Sequence, residues 1–214
     1  VERYDPAENA WGVGGLDDDD NCLSSVERYD PALNAWEAVA PMAAARSDHG
    51  VAVLDGKLYA VGGLDDDDNC LSSVERYDPA LNAWEAVAPM AERRTLAAVA
   101  ALDGKLYAVG GYNNDTGYTA LSSVERYDPT ANMWEAVALM GTARQGHGVA
   151  ELDGKLYAVG GRLQQRMRGG RWRRWRRTTP ATPPSARWSG TIRRWMRGRR
   201  WRRWRRRGPF LSRS

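Results

Sequence analysis

The sequence predicts an all-β fold made of repeated small sheets, on three observations. The phrase LDGKLYAVGG occurs at Leu54–Gly63, Leu102–Gly111 and Leu152–Gly161. The phrase VERYDP begins at Val26, Val74 and Val124, in steps of 48 and 50 residues. A Trp follows the Tyr of that phrase after six residues each time, in the pairs Tyr29/Trp36, Tyr77/Trp84 and Tyr127/Trp134. Self-similarity at this period marks an array of supersecondary units. The short apolar runs bounded by Gly, Pro, Asn and Asp mark those units as strands.

Taken in order, the chain opens on VERYDPAENAW at Val1–Trp11, the back half of a repeat, and passes straight to Gly12–Gly15. Two half-repeats are thus fused at Trp11–Gly12, with only 25 residues from Val1 to Val26. In the regular copies, His49–Val53 reads as a strand, and Asp55-Gly56 supplies the hairpin turn that follows it. Gly56–Gly63 is nearly all apolar after Lys57, which suits an inner strand covered on both faces. Gly62-Gly63 ends it, because two glycines permit positive φ and close backbone approach. Ser73–Pro79 alternates, with Val74 and Arg76 on one face and Glu75 and Tyr77 on the other, so a more exposed strand is expected. On such a strand Glu27, Glu75 and Glu125 would pair with Arg28, Arg76 and Arg126, each pair worth little. Asp78-Pro79 with Asn82 signals a turn. Trp84–Val87 is an outer strand that stops at Pro89, where a missing N–H is harmless.

The recurring double glycine, the Tyr and the Trp that follows it after six intervening residues resemble the kelch family. The resemblance covers residues 1–161. It implies a β-propeller in which each repeat gives one four-stranded blade, and it assigns the glycines, Tyr and Trp to blade construction. The expected fold is a partial kelch β-propeller, with two complete blades at about 46–90 and 94–140 and partial blades on either side. Propellers close with about four to eight blades. An array this short leaves a blade face and an edge strand exposed.

The formal net charge of +4 conceals two unlike segments. Residues 1–161 carry 27 acidic against 11 basic side chains, a balance of −16, whereas residues 162–214 carry 20 Arg and no acid. The expected domains are therefore a kelch-repeat fragment at 1–161 and an Arg/Trp-rich tail at 162–214. The tail admits two explanations. As a genuine segment it would bind a polyanion such as nucleic acid, with Arg on phosphates and Trp on bases. Lacking apolar surface beyond its Trp residues, it would then be disordered. As a misread one it is kelch sequence in the wrong frame. GC-rich codons for SVERYDP, read one base later, spell RWSGTIR, which is Arg187–Arg193. The same shift turns AVDAWEAV into RWMRGRRW, Arg194–Trp201, and an upstream GNTTLSS into Ala181–Ala186. A phrase like PAADAWGAVAPV gives Gln164–Trp175 in the same way. Two long matches to one phrase favour this second explanation.

The two cysteines, Cys22 and Cys70, occupy one position in two copies of the loop LDDDDNCLSS. Equivalent positions of neighbouring blades lie too far apart for a disulfide. This usage fits a cytoplasmic setting, and no apolar run reaches the roughly 18 residues of a membrane span.

No Ser-His-Asp set, phosphate loop or catalytic carboxylate pair stands out, and no cofactor is expected. His49 and His147 share one repeat position and read as strand-entry residues. The runs Asp17–Asp20 and Asp65–Asp68 lack the spacing and Gly of a calcium loop. In kelch proteins, by the same resemblance, these loops and the connections between blades receive partners. Arg46, Asp48, Asp65, Asp66, Asp67, Asp68, Arg93, Arg94, Asn113, Asn114, Asp115, Arg144 and Gln145 are therefore the expected contacts. The implied function is non-enzymatic protein binding. A cullin-type ubiquitin ligase and actin are the partners that the resemblance offers, and the BTB domain usual in ligase receptors is not among these residues. A copper enzyme of the galactose-oxidase type is the alternative, and it would need Tyr, His and Cys ligands converging on the axis.

Overall fold

The computed structural model describes residues 11–115 and 119–162. The VERYDP segment at Val1–Pro6 and the tail beyond Arg162 lie outside the described residues. Those that are described fall within one unit, Val1–Arg166.

Every described regular element is a strand, and every pairing is antiparallel. The first sheet has three strands, β1 (Trp11–Leu16), β2 (Cys22–Asp30) and β3 (Ala35–Val39), in that order. The next has four, β4 (Gly50–Leu54), β5 (Lys57–Val61), β6 (Val74–Asp78) and β7 (Ala83–Val87). The third repeats it with β8 (Ala98–Leu102), β9 (Lys105–Val109), β12 (Val124–Asp128) and β13 (Met133–Ala136). A two-strand ribbon, β10 (Tyr112–Asn113) with β11 (Thr119–Ala120), replaces the Asp-rich loop of the other copies. The last sheet is the hairpin β14 (Gly148–Leu152) with β15 (Lys155–Val159). The expected pair of four-stranded blades flanked by partial ones is thus present.

The fusion at Trp11–Gly12 has a clear register. Gly12 pairs with Glu27 and Val13 with Val26, as Ala60 pairs with Glu75 and Val61 with Val74. β1 therefore stands where β5 stands in the next blade. Among the described residues this sheet has no counterpart of β4.

Two expectations need correction. The innermost strands are β4, β8 and β14, which neighbour one another from blade to blade. β5 is second from the inside, and its Leu58, Tyr59, Ala60 and Val61 are buried. The strand SVERYDP is also not the exposed one. Val74, Glu75 and Tyr77 of β6 are all buried, so both faces are covered. The sequence neighbours Glu75 and Arg76 point to opposite faces and do not pair. Arg76 instead pairs across the sheet with Glu85 at 2.6 Å, and Arg126 does the same with Glu135.

Apolar packing joins the two complete blades. Leu54, Tyr59, Val61, Val74 and Met90 of the first bury against Leu106, Ala108 and Tyr127 of the second. Tyr59 and Tyr127 meet edge to face, with ring centroids 5.9 Å apart. Full burial of each such large side chain contributes about 1.5–3 kcal/mol.

Two glycine positions explain the double-glycine signature. Gly62 has φ 66°, and a Cβ there would stand 2.3 Å from the Arg94 carbonyl oxygen. Gly63 has φ 102°, and its Cβ would stand 2.5 Å from the Ser47 carbonyl oxygen. Here the chain passes under the connection between blades, and a side chain has no room. At the other end of the hairpin, Asp55 and Gly56 have φ 51° and 70°, the two positive angles of a type I′ turn.

Candidate functional site

The antiparallel registers sort the connections by end. β5 finishes at Val61 opposite Val74, where β6 begins, and β7 finishes at Val87, also opposite Val74. The β5–β6 loop and the connection to the next blade therefore leave from one end of the sheet. The LDGK and DPxxN turns occupy the other. Cross-links within the first end hold it together. Ser47 bridges Leu64, and Thr95 bridges Tyr112. The Cys22 N–H donates to the Asp66 carboxylate at 2.7 Å, and the Cys70 N–H to Asn114 Oδ1 at 3.4 Å. Asn114 Nδ2 donates to the Asp68 carbonyl at 2.5 Å. Each loop is thus tied to the loop of the next blade.

Arg46 and Arg94, expected as partner contacts, are instead interior residues. Each is wholly buried. Arg46 Nη1 donates to the Gly62 and Ser73 carbonyls at 2.8 and 3.2 Å, and Nη2 reaches Glu75 Oε1 at 2.6 Å. Glu75 is held in turn by the N–H groups of Ala43 and Ala44, at 2.7 and 3.1 Å. Arg94 repeats this on Gly110, Ser123 and Glu125, with 2.7 Å to the carboxylate. A charge taken out of water must be paired and bonded, and the Nη groups of these arginines meet that need by joining a connection to the blade that follows it, while each Nε is buried without a partner.

Sequence reasoning missed this clamp. Its signal was available in the recurrence of an Arg four residues after a Met, at Met42/Arg46, Met90/Arg94 and Met140/Arg144. The matching Ser73 and Ser123 also recur. A second set of staples sits on the outer strands. Trp84 Nε1 donates to the Ala40 carbonyl at 2.8 Å, and Trp134 Nε1 to the Ala88 carbonyl at 2.9 Å. Asn82 Oδ1 accepts from the Ala40 N–H and from the Tyr77 hydroxyl, and Asn132 from Ala88 and Tyr127.

The other expected contacts divide by what occupies them. Asp65 turns its carboxylate onto the N–H groups of Asp67 and Asn69, at 3.0 and 2.9 Å, and so shapes its own loop. Asp17 does the same with Asn21, whose hydrogen bonds hold that carboxyl below its usual range. Asn113 accepts the Asp115 N–H, while Asn114 ties its loop back to that of the previous blade. Gln145 is half-buried, and its carbonyl accepts the Arg162 N–H. Asp48, Asp66, Asp67, Asp68, Arg93 and Asp115 remain exposed on this end. Arg93 stands 3.7 Å from Asp115. The exposed charge is predominantly negative, with Arg93 set among acids.

Both thiols are free, and burial pushes each pKa up, which keeps them in the unreactive form. Among the described residues no group of three or more His, Cys, Asp or Glu side chains could hold a metal ion. Among them too, no helix is long and apolar enough to cross a membrane.

The two histidines carry a pH dependence. Burial and the neighbouring Arg46 charge push His49 down to about 4. Burial lowers His147 as well, helped by Arg144. The folded state thus resists a proton that the unfolded chain accepts near pH 6.5. The stability they support is complete above about pH 6.5 and falls as pH drops toward about 4. The middle copy of this position is Ala97, so the site tolerates a small residue. His49→Ala should flatten the acid side of the stability curve, read as urea midpoints at about pH 7 and about pH 5. An unchanged slope would rule out His49 as its source.

Comparison with known sequences places these units. The sequence profile of the Kelch motif matches residues 13–43, 45–91 and 93–141. No curated protein matches the chain.

Proposed function

The chain belongs to the kelch-repeat family, and on that footing we propose that residues 1–161 form a protein-interaction module that receives its partner on the loop-bearing end of the blades. Kelch repeats are in general binding units rather than catalytic ones. The observation that carries the reading is the division of labour at this end. Arg46, Arg94, Asp65 and Asn114 are committed to the scaffold, whereas Asp48, Asp67, Asp68, Arg93 and Asp115 face solvent from loops fixed by that scaffold. Loops presented by a rigid frame commonly carry recognition. Their negative balance suits a partner with a basic surface. Actin and a cullin-type ligase are the two partners to try first, in a cytoplasmic setting.

The test is direct binding of the full chain to each purified candidate, by co-sedimentation for actin and by titration for a cullin scaffold. The expected result is an affinity that falls about tenfold or more in the Asp67→Lys/Asp115→Lys variant, with the thermal midpoint unchanged. Binding indifferent to both substitutions would move the site away from this end.

A further inference from the structure

Among the described residues the last hairpin is a two-stranded blade, where the complete blades have four strands. In the complete blades the KLYAV strand has a partner on each side. Lys57–Val61 pairs with β4 and also with Val74–Asp78, and Lys105–Val109 pairs with β8 and also with Val124–Asp128. β15, the third KLYAV strand, pairs among the described residues with β14 alone. Its Tyr157 and Val159 are 44% and 66% exposed, whereas Tyr59 and Val61 are each 1% exposed. Arg144 repeats the clamp in part. Its Nη1 donates to the Gly160 carbonyl at 2.5 Å, as Arg46 does to Gly62, but among the described residues it has no carboxylate.

The chain itself carries a strand of the matching sequence. Val1-Glu2-Arg3-Tyr4-Asp5 is identical in sequence to Val74–Asp78 and Val124–Asp128. We propose that the β15 edge of one copy is completed by the Val1–Asp5 segment of a second copy, so that this chain associates head to tail. By the register of the complete blades, Val1 would pair with Val159, Glu2 with Ala158, Arg3 with Tyr157 and Tyr4 with Leu156. That register sets Glu2 against Arg144, as Glu75 is set against Arg46. An open strand edge offers a row of unpaired N–H and C=O groups to an added strand. The buried carboxylate–guanidinium pair then selects this strand over others. The two mating surfaces differ, so the contact is heterologous and builds rings or open chains rather than a symmetric dimer.

The test is the mass distribution of the full 214-residue chain by light scattering over a range of concentrations. The expected result is concentration-dependent association that Glu2→Lys abolishes, that Arg144→Glu abolishes, and that the Glu2→Lys/Arg144→Glu double variant restores. Circular dichroism of each variant checks that it folds, and because the double variant must regain association, a folding defect cannot mimic the result. A chain that stays monomeric throughout would overturn the proposal. So would association indifferent to both single variants, since the tail or another surface would then be driving it.

Discussion

Glu125→Ala lowers the unfolding free energy by about 3–5 kcal/mol, measured by urea denaturation. The carboxylate is buried and bonded to Arg94 at 2.7 Å and to the Ala91 and Glu92 N–H groups at 2.7 and 3.1 Å. Its removal leaves a guanidinium with no exposed surface facing no counter-charge, along with two N–H groups lacking that acceptor. The loss is of a partner, not of attraction alone, since a desolvated pair gains little over apolar residues that fill the same space. Arg94→Leu combined with Glu125→Leu should therefore recover part of the loss. Glu135→Ala is the surface control. Its partner Arg126 lies on the opposite face of the same strand and is only partly buried, so the cost there is below about 1 kcal/mol. Equal losses from Glu125→Ala and Glu135→Ala would contradict the clamp.

Gly62→Ala should cost about 2–5 kcal/mol, the sum of two separable effects. A left-handed backbone costs a residue with a Cβ about 1–2 kcal/mol. Overpacking adds about 1–3 kcal/mol, because the new carbon would stand 2.3 Å from a backbone oxygen that cannot swing aside. Gly56→Ala separates the two. Its φ of 70° is similar, but nothing lies within 4 Å of the added carbon. Thermal or urea unfolding of both variants should thus show the larger loss at Gly62. The reverse order would mean that the passage beneath the Arg94 connection has room for a methyl group.

The hairpins were legible because local chemistry dictates them. Asp55-Gly56 admits the two positive φ values of its turn, and GKLYAVGG is apolar because both its faces are covered. The role of SVERYD was not legible, and the reason is physical. Alternation in β6 reads as one wet face, but Glu75 on that face is neutralised by Arg46, which arrives from a connection 29 residues earlier. Periodicity within a strand carries no information about such a visitor. The same blindness made Arg46 and Arg94 look like contacts, since a charged residue in a connecting loop is ordinarily solvated. Their recurrence with Ser73 and Ser123 in register was the available clue. Asp66 shows a milder form of the effect. It is exposed, yet one of its oxygens holds the Cys22 N–H of the preceding blade.

The staples between blades have an evolutionary corollary. Trp84 holds Ala40 just as Trp134 holds Ala88, and Arg46 holds Glu75 just as Arg94 holds Glu125. Donor and acceptor types are the same at successive seams, so any unit can sit beside any other. Recombination that adds or deletes one whole 48-residue step leaves every seam chemically intact. The 25-residue step near the start instead yields a sheet of three strands among the described residues, so gene length in such an array can drift freely only in whole units.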